Sequence, residues 1–262
     1  MPIVSARKRT FLFSPMLLVN KTQKERFMED KKASTLNKAV SILFAISLVF
    51  LIISFSISLP IYFRSFYYIH IEALDIEAST GHTKAELKEA FNELMDYLTL
   101  GKEFGVGVFE YSERGKSHFH DCKVLFALNT ATFILSFVIC ATIIAIYKIK
   151  KKKTWHPFDL NISFFAAVGT LLAFAITGVI VSIDFTRAFK FFHRIVFPGK
   201  TNWTFIIEND PIILALPLNF FINCAILILA SIISICASII AVSLIKRKRD
   251  RKYKLRTYTS SF

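Results

Sequence analysis

The sequence predicts an all-α membrane protein: four transmembrane helices, and an extracytoplasmic cap holding an amphipathic helix and a short extended segment. Three observations carry this. Apolar residues make up 54% of the 262, with 28 phenylalanines, and mean hydropathy is +0.50, above what a soluble domain carries. Four apolar runs, Ala39–Phe63, Val124–Tyr147, Ile162–Phe185 and Ile212–Ile245, are each long enough for a hydrocarbon core that needs about 20 residues. Basic residues gather at alternate ends of those runs.

Each run satisfies its backbone in lipid only as a helix, because lipid offers no hydrogen-bond partners. The last run exceeds a minimal span, so it tilts or projects. Nine Lys and Arg lie in the segment to Lys38, five in Lys148–Lys153 and eight in the tail from Lys246. The first loop between spans, 64–121, has six basic and 11 acidic residues. Both termini and the Lys148–Lys153 turn are therefore expected in the cytoplasm, with loops 64–121 and 186–211 outside. The net charge of +14 is mostly this asymmetry. It suits anionic membrane lipid, and no nucleic-acid partner is expected, because the basic runs hug span ends.

The predicted organisation is a basic N-terminal arm over 1–37, open to being disordered to about residue 27. A transmembrane domain over 38–245 and a basic tail over 246–262 follow. The patch Phe11–Val19, interrupted by Ser14-Pro15, is too short for a cleavable signal. Cys122, Cys140, Cys224 and Cys236 form neither a disulfide frame nor a zinc spacing and read as small buried hydrophobes.

In loop 64–121, Tyr62, Phe63, Phe66, Tyr67 and Tyr68 form an aromatic belt at the end of span 1. Thr83-Lys84-Ala85-Glu86 is a capping box. Leu87, Phe91, Leu94, Met95 and Leu98 follow at helical spacing, so a helix should start at Thr83 and stop near Gly101. Phe104–Phe109 reads as a short strand or bent extended segment. Ser117 is the expected N-cap of the helix that becomes span 2.

Two histidine segments, about 75 residues apart, flank the spans on this outer side: Ser117-His118-Phe119-His120-Asp121-Cys122-Lys123 and Phe191-Phe192-His193-Arg194. On a helix His118, Asp121 and Cys122 share a face while His120 turns about 200° away. Asp121 would then hold the His118 imidazole in one tautomer. On a strand, His118 and His120 would share a face and could chelate a metal. Pro198-Gly199 marks a turn, Trp203 suits the interface, and Asp210-Pro211 is a helix start with Asp210 as N-cap. Arg194 and Lys200 suit lipid phosphate or plain snorkelling. Asp184, at the outer end of span 3, could face the histidines. His70, His82 and the Trp155-His156-Pro157 segment read as structural or interfacial.

No GxSxG, HExxH, P-loop or Rossmann pattern is present, so no cofactor is expected and no serine stands out as a nucleophile. Three readings remain from residues alone. One is histidine acid–base chemistry at the membrane surface. Another is a non-catalytic four-span protein that binds lipid or a partner. The last is a metal-dependent hydrolase using His118, His120 and His193.

At the same segments the chain resembles a known family, the small four-span membrane proteins of Gram-positive bacteria that include the lipoprotein intramolecular transacylase. Ser112-Glu113-Arg114, His118 through Lys123 and Leu125-Phe126 carry the first match. Phe192-His193, Phe197, Trp203, Phe205, Asp210-Pro211-Ile212 and Pro217 carry the second. The resemblance spans roughly residues 38–245. Cys122 stands where valine is usual, Val196 where phenylalanine is usual, and Gly115-Lys116 where an acidic and an apolar residue are common. The resemblance implies an acyltransferase acting on diacylated lipoproteins, with catalytic His118 and His193. Asp121, Arg194, Trp203 and Asp210 support them, Arg194 or backbone donors stabilising the oxyanion.

Overall fold

The computed structural model describes residues 15–150, 154, 157 and 160–259. Within them the chain folds into nine helices and no strand: α1 (Pro15–Tyr62), α2 (Ser65–Ala73), α3 (Ile76–Thr80), α4 (Lys84–Leu100), α5 (Glu113–Ile149), α6 (Ile162–Ile183), α7 (Phe185–Val196), α8 (Ile212–Ala215) and α9 (Leu218–Thr259). Four helices, α1, α5, α6 and α9, are long and apolar enough to cross a membrane, as expected. The protein is a multi-pass membrane protein. Trp155 and His156 lie outside the described residues. From Pro15 onward the basic arm is helical and continuous with the first span.

The bundle packs α1 against α5, α6 and α9, and α6 against α9. Its inner contacts are sparse. Phe44, Cys140, Ile143 and Ile162 form one small cluster, and Ile52, Ala167, Ile232 and Cys236 another. Polar side chains add links between helices: Asn129 Nδ2 donates to Ser58 Oγ at 2.9 Å, and Ser56 Oγ to Ser231 Oγ at 3.1 Å. Such bonds and small residues hold helices together where lipid competes equally for apolar surface. Large side chains such as Leu172, Ile176, Val179 and Ile180 are exposed on the outer face of α6, as suits a helix bordering lipid.

The principal core lies in the cap at one end of the bundle. The capping box forms as read: Thr83 accepts from the Glu86 N–H, and Glu86 accepts from the Thr83 N–H at 2.8 Å. The apolar stripe of α4 then sinks into the cap, burying Leu87, Ala90, Phe91, Leu94, Met95, Tyr97 and Leu98. Gly101, in the left-handed region at φ 73°, ends the helix. Tyr67, placed by sequence in an interfacial belt, is buried. It stacks on Phe91 with ring centroids 3.9 Å apart and donates its hydroxyl to the Ala215 carbonyl at 3.0 Å. Tyr62 and Phe63 stay exposed. Arg64 pairs with Asp96 and bonds Asn92 at 3.2 Å, fastening the end of span 1 to α4.

Three boundaries differ from expectation, and one segment takes one of its two expected forms. Segment 104–109 is the bent form of the two expected, an irregular stretch turning at Gly107, whose φ is 60° and whose Cα approaches Ala90 too closely for a side chain. Helix α5 starts at Glu113 with Ser112, not Ser117, as N-cap; the Ser112 hydroxyl accepts from Gly115 N at 2.9 Å. Loop 186–211 opens with a helix, α7, because Asp184 breaks the chain and caps the next turn, accepting from Arg187 N at 2.8 Å. Span 4 is interrupted: α8 ends at Ala215 and α9 begins at Leu218. Pro217 cannot donate and pushes Leu216 out of the helical region, to φ −120° and ψ 63°.

Candidate active site

Helical spacing builds the site. On α5, His118, Phe119, Cys122, Leu125 and Phe126 repeat at the i, i+4, i+7 interval and face one cavity. On α7, Phe189, Phe192 and His193 do the same. On α4, Phe91, Leu94, Met95 and Leu98 form the third wall. Phe197, Trp203 and Phe205 from the following turn, and Ile213, Leu216 and Phe221 from α8 and α9, close the rest. The cavity holds about 270 Å³ and is almost wholly apolar. Only the imidazoles, the Cys122 thiol and the Trp203 indole bring polar atoms to its wall.

The two histidines meet there. Their ring centroids are 5.8 Å apart, and both residues are buried, at 6% exposure for His118 and 7% for His193. His193 Nδ1 lies 2.8 Å from the Phe189 carbonyl oxygen. A carbonyl only accepts, so Nδ1 carries the hydrogen and Nε2 keeps a lone pair. Burial lowers the His193 pKa from the ordinary imidazole value, and the bond to Phe189 offsets part of that. His193 therefore rests neutral, with Nε2 ready to accept a proton. Trp203 lies against this ring at 5.1 Å and donates its Nε1–H to the Lys200 carbonyl at 3.0 Å. Phe197 and Phe205 meet the His118 ring edge-on at 5.2 and 5.4 Å. His118 Nε2 is 3.5 Å from Cys122 Sγ, and His118 Nδ1 is buried without a hydrogen-bond partner among the described residues.

The remaining expected site residues fall differently. Asp121 does not bond His118. Its carboxylate pairs with Lys200 and accepts from Asn202 Nδ2 at 2.9 Å. It thus ties α5 to the turn carrying Trp203 through the half-exposed Lys200. Asp210 does not cap its own helix, whose N-cap is Pro211 with no side-chain bond. It is buried and accepts from Ser112 N at 2.8 Å and Ser112 Oγ at 2.7 Å. This fixes the start of α5, and hence His118, to the approach to α8. A side chain at Gly115 would strike it: a Cβ there would sit 2.8 Å from the Asp210 carboxyl carbon. Arg194 is exposed and does not line the cavity, being turned about 100° from His193. His120 is also exposed, with Nδ1 3.3 Å from the Tyr97 hydroxyl. His118, His120 and His193 therefore do not converge, and no three His, Cys, Asp or Glu side chains among the described residues group as metal ligands. Asp184 is a helix cap.

Sequence reasoning missed the Phe189 carbonyl that sets the tautomer, and the Ser112–Asp210 link. The first had a signal: Phe185, Phe189, Phe192, His193 and Val196 repeat at helical spacing after a capping Asp184.

The fold and the site together define a class: a four-span integral membrane protein with a histidine pair in an apolar cavity beneath a cap. The model of the family described as lipoprotein intramolecular transacylase Lit matches residues 42–221, and the chain belongs to that family, an acyltransferase family. Among solved structures, the in meso structure of the membrane integral lipoprotein intramolecular transacylase Lit from Bacillus cereus is 24% identical. It aligns with a TM-score of 0.72, over 82% of this chain and 99% of that one. Two forms of the same Bacillus cereus protein with a histidine substituted are 21% and 22% identical. Both have a TM-score of 0.69, covering 87% and 84% of this chain and 99% of each of theirs. These likenesses show a shared fold. No curated protein sequence matches the chain.

Proposed function

We propose that the protein moves the sn-2 acyl chain of a diacylglyceryl lipoprotein onto the α-amine of the same N-terminal cysteine, giving a lyso-form lipoprotein. The observation that carries this reading is the facing pair His118 and His193, brought from two helices into one apolar cavity. An acyl chain suits the phenylalanine-lined walls, and its ester carbonyl suits the imidazole end. His193 Nε2 takes the proton from the attacking amine and His118 gives one to the leaving glyceryl oxygen, and a proton passing from His193 to His118 returns both facing rings to neutral. The pair thus moves one proton from nitrogen to oxygen. Ester and amine share one anchor, so proximity supplies part of the roughly 7–11 kcal/mol open to well-aligned reactants. Trp203 positions His193. Asp121 and Asp210 hold the surrounding backbone, and Arg194 faces lipid headgroups.

The charge pattern supports a cap at the outer leaflet and cytoplasmic termini: the 64–121 region is net acidic, while basic runs fill the arm, the Lys148–Lys153 turn and the tail. The basic residues at the cytoplasmic span ends then attract anionic membrane lipid. The test is expression in a bacterium that makes diacylated lipoproteins, with mass spectrometry of a lipoprotein N-terminal peptide. The expected product is N-acyl, S-monoacylglyceryl cysteine, reduced about 100-fold or more by His118→Ala or His193→Ala. Unchanged diacylglyceryl cysteine with the unaltered protein would rule the reading out in favour of a lipid- or partner-binding scaffold.

A further inference from the structure

Helix α7 carries a charge pattern that has no duty in the acid–base chemistry. Its 12 residues include Arg187, Lys190 and Arg194 and no carboxylate. At about 100° per residue these three fall within roughly 60° of one another. Phe185, Phe189, Phe192 and Val196 centre on the opposite side, where Phe189 and Phe192 line the cavity. Phe191 and Ile195 lie between the two sides, 62% and 61% exposed. The helix thus presents a basic stripe beside open apolar surface, the arrangement of a helix lying in a membrane interface.

Four other Lys and Arg residues at this end of the bundle have carboxylate partners. Arg64 and Lys102 pair with Asp96, Lys84 with Glu72, and Lys200 with Asp121. On α7 Arg187 has one too, its Nε 3.5 Å from Asp184 Oδ2, but that carboxylate also caps the helix. Lys190 and Arg194 are exposed and form no ion pair among the described residues. Protein packing does little to seat this helix, since His193 is its only buried residue.

We propose that Arg187, Lys190 and Arg194 form a binding surface for an anionic phospholipid headgroup, and that this contact seats α7 against the bundle. Arg194 offers phosphate a planar fork and Lys190 a point charge. The lipid chains run along Phe191 and Ile195. A zwitterionic headgroup carries its own ammonium and is the poorer match, while free phosphate has no chains for the apolar surface. Each basic residue near an anionic surface adds roughly fivefold to affinity, and salt weakens the attraction. Headgroup binding of this kind is independent of acyl transfer.

Trp203 reports on the contact, because its ring lies 5.1 Å from that of His193. With Trp155→Phe, Trp203 is the single tryptophan of the full chain. This protein is placed in phosphatidylcholine vesicles holding increasing amounts of dibrominated phosphatidylglycerol, and quenching of Trp203 is read. Phosphatidylglycerol should be preferred over brominated phosphatidylcholine by about fivefold or more, and the preference should shrink as salt rises from about 50 mM to about 1 M. Replacing Arg187, Lys190 and Arg194 together by Gln should remove it. Amide exchange over 185–196 should be slower in phosphatidylglycerol than in phosphatidylcholine, and the triple variant should lose that difference. If the triple variant fails to fold, Lys190→Gln and Arg194→Gln singly should each lower the preference by about two- to fivefold. A preference within twofold of unity in the parent protein overturns the proposal. So does a preference that survives the Gln substitutions, or one abolished by about 50 mM inorganic phosphate at constant ionic strength, which would make the ligand free phosphate. Equal amide exchange in the two lipids overturns the seating of α7. A phosphatidylglycerol preference without N-acyl product leaves the headgroup surface standing and the transacylase reading failed; product without the preference does the reverse.

Discussion

Helices α4 and α7 are both amphipathic, neither spans the membrane, and each contributes one wall of the same cavity, yet they are held in opposite ways. Seven of the 17 residues of α4 are buried, and its apolar stripe is covered by α2, the 104–109 segment and the α8 region. Of the 12 residues in α7 only His193 is buried, while Phe191 and Phe192 are 62% and 53% exposed. The α4 wall is built as in a water-soluble domain, where burial out of water supplies the driving force. The α7 wall is built for the lipid boundary, where exposed phenylalanines are in a favourable medium. His193, the buried residue of α7, is held by local contacts: the Asp184 cap, the Phe189 carbonyl and the ring of Trp203. A densely packed wall and an exposed boundary helix thus meet at the histidine pair.

Leu94→Ala should break that comparison if it is wrong. Leu94 is 2% exposed in the cap core, and its truncation should lower stability by about 2–5 kcal/mol, read as unfolding of the detergent-solubilised protein. A loss near zero would mean the α4 wall is not the densely packed one.

Asp210→Ala should cost less, about 1–3 kcal/mol, by leaving the Ser112 N–H and hydroxyl without their acceptor. Gly115→Ala should act in the same direction, because the new methyl displaces the Asp210 carboxylate. Both should also reduce acyl transfer, since the first turns of α5 position His118.

Acid should act on the α7 wall through His193. Its folded pKa lies below the unfolded value, so the unfolded chain binds the extra proton first as pH falls. The stability contribution is fully present above the ordinary imidazole value of 6.5 and is lost as pH drops through the lower folded value. Unfolding midpoints should therefore decline below about pH 6.5, and His193→Phe should flatten the decline. Acyl transfer should fall over the same acid range as Nε2 becomes protonated.

The smallest effect should come from Phe191→Ala, within about 0.5 kcal/mol in detergent, because the side chain is already exposed. An effect as large as that of Leu94→Ala would mean that α7 packs against protein instead of lipid.

The spans, the Thr83–Glu86 capping box and the shared face of His118 and Cys122 were legible because each rests on contacts within about four residues or on composition over twenty. The start of α5 was misplaced by five residues, since Ser112 and Ser117 are both plausible caps and only the distant Asp210 selects between them. Asp121 shares a face with His118, as helical spacing dictates, but its hydrogen-bond partners Lys200 and Asn202 reach it from 79 and 81 residues away. Helix α7 carries its signal in the phenylalanine spacing after Asp184, although it lies in a short connection between spans.

By itself, the sequence determined a four-span all-α membrane protein, its charge asymmetry, an amphipathic helix in the first connection and two histidine segments near the span ends. Those features follow from hydropathy and helical period, which are local. Only the tertiary structure decided that the histidines face each other, that Asp210 braces α5, and that α4, α5 and α7 close on one cavity. Such pairings depend on how helices far apart in sequence cross and pack, and no local pattern encodes the crossing.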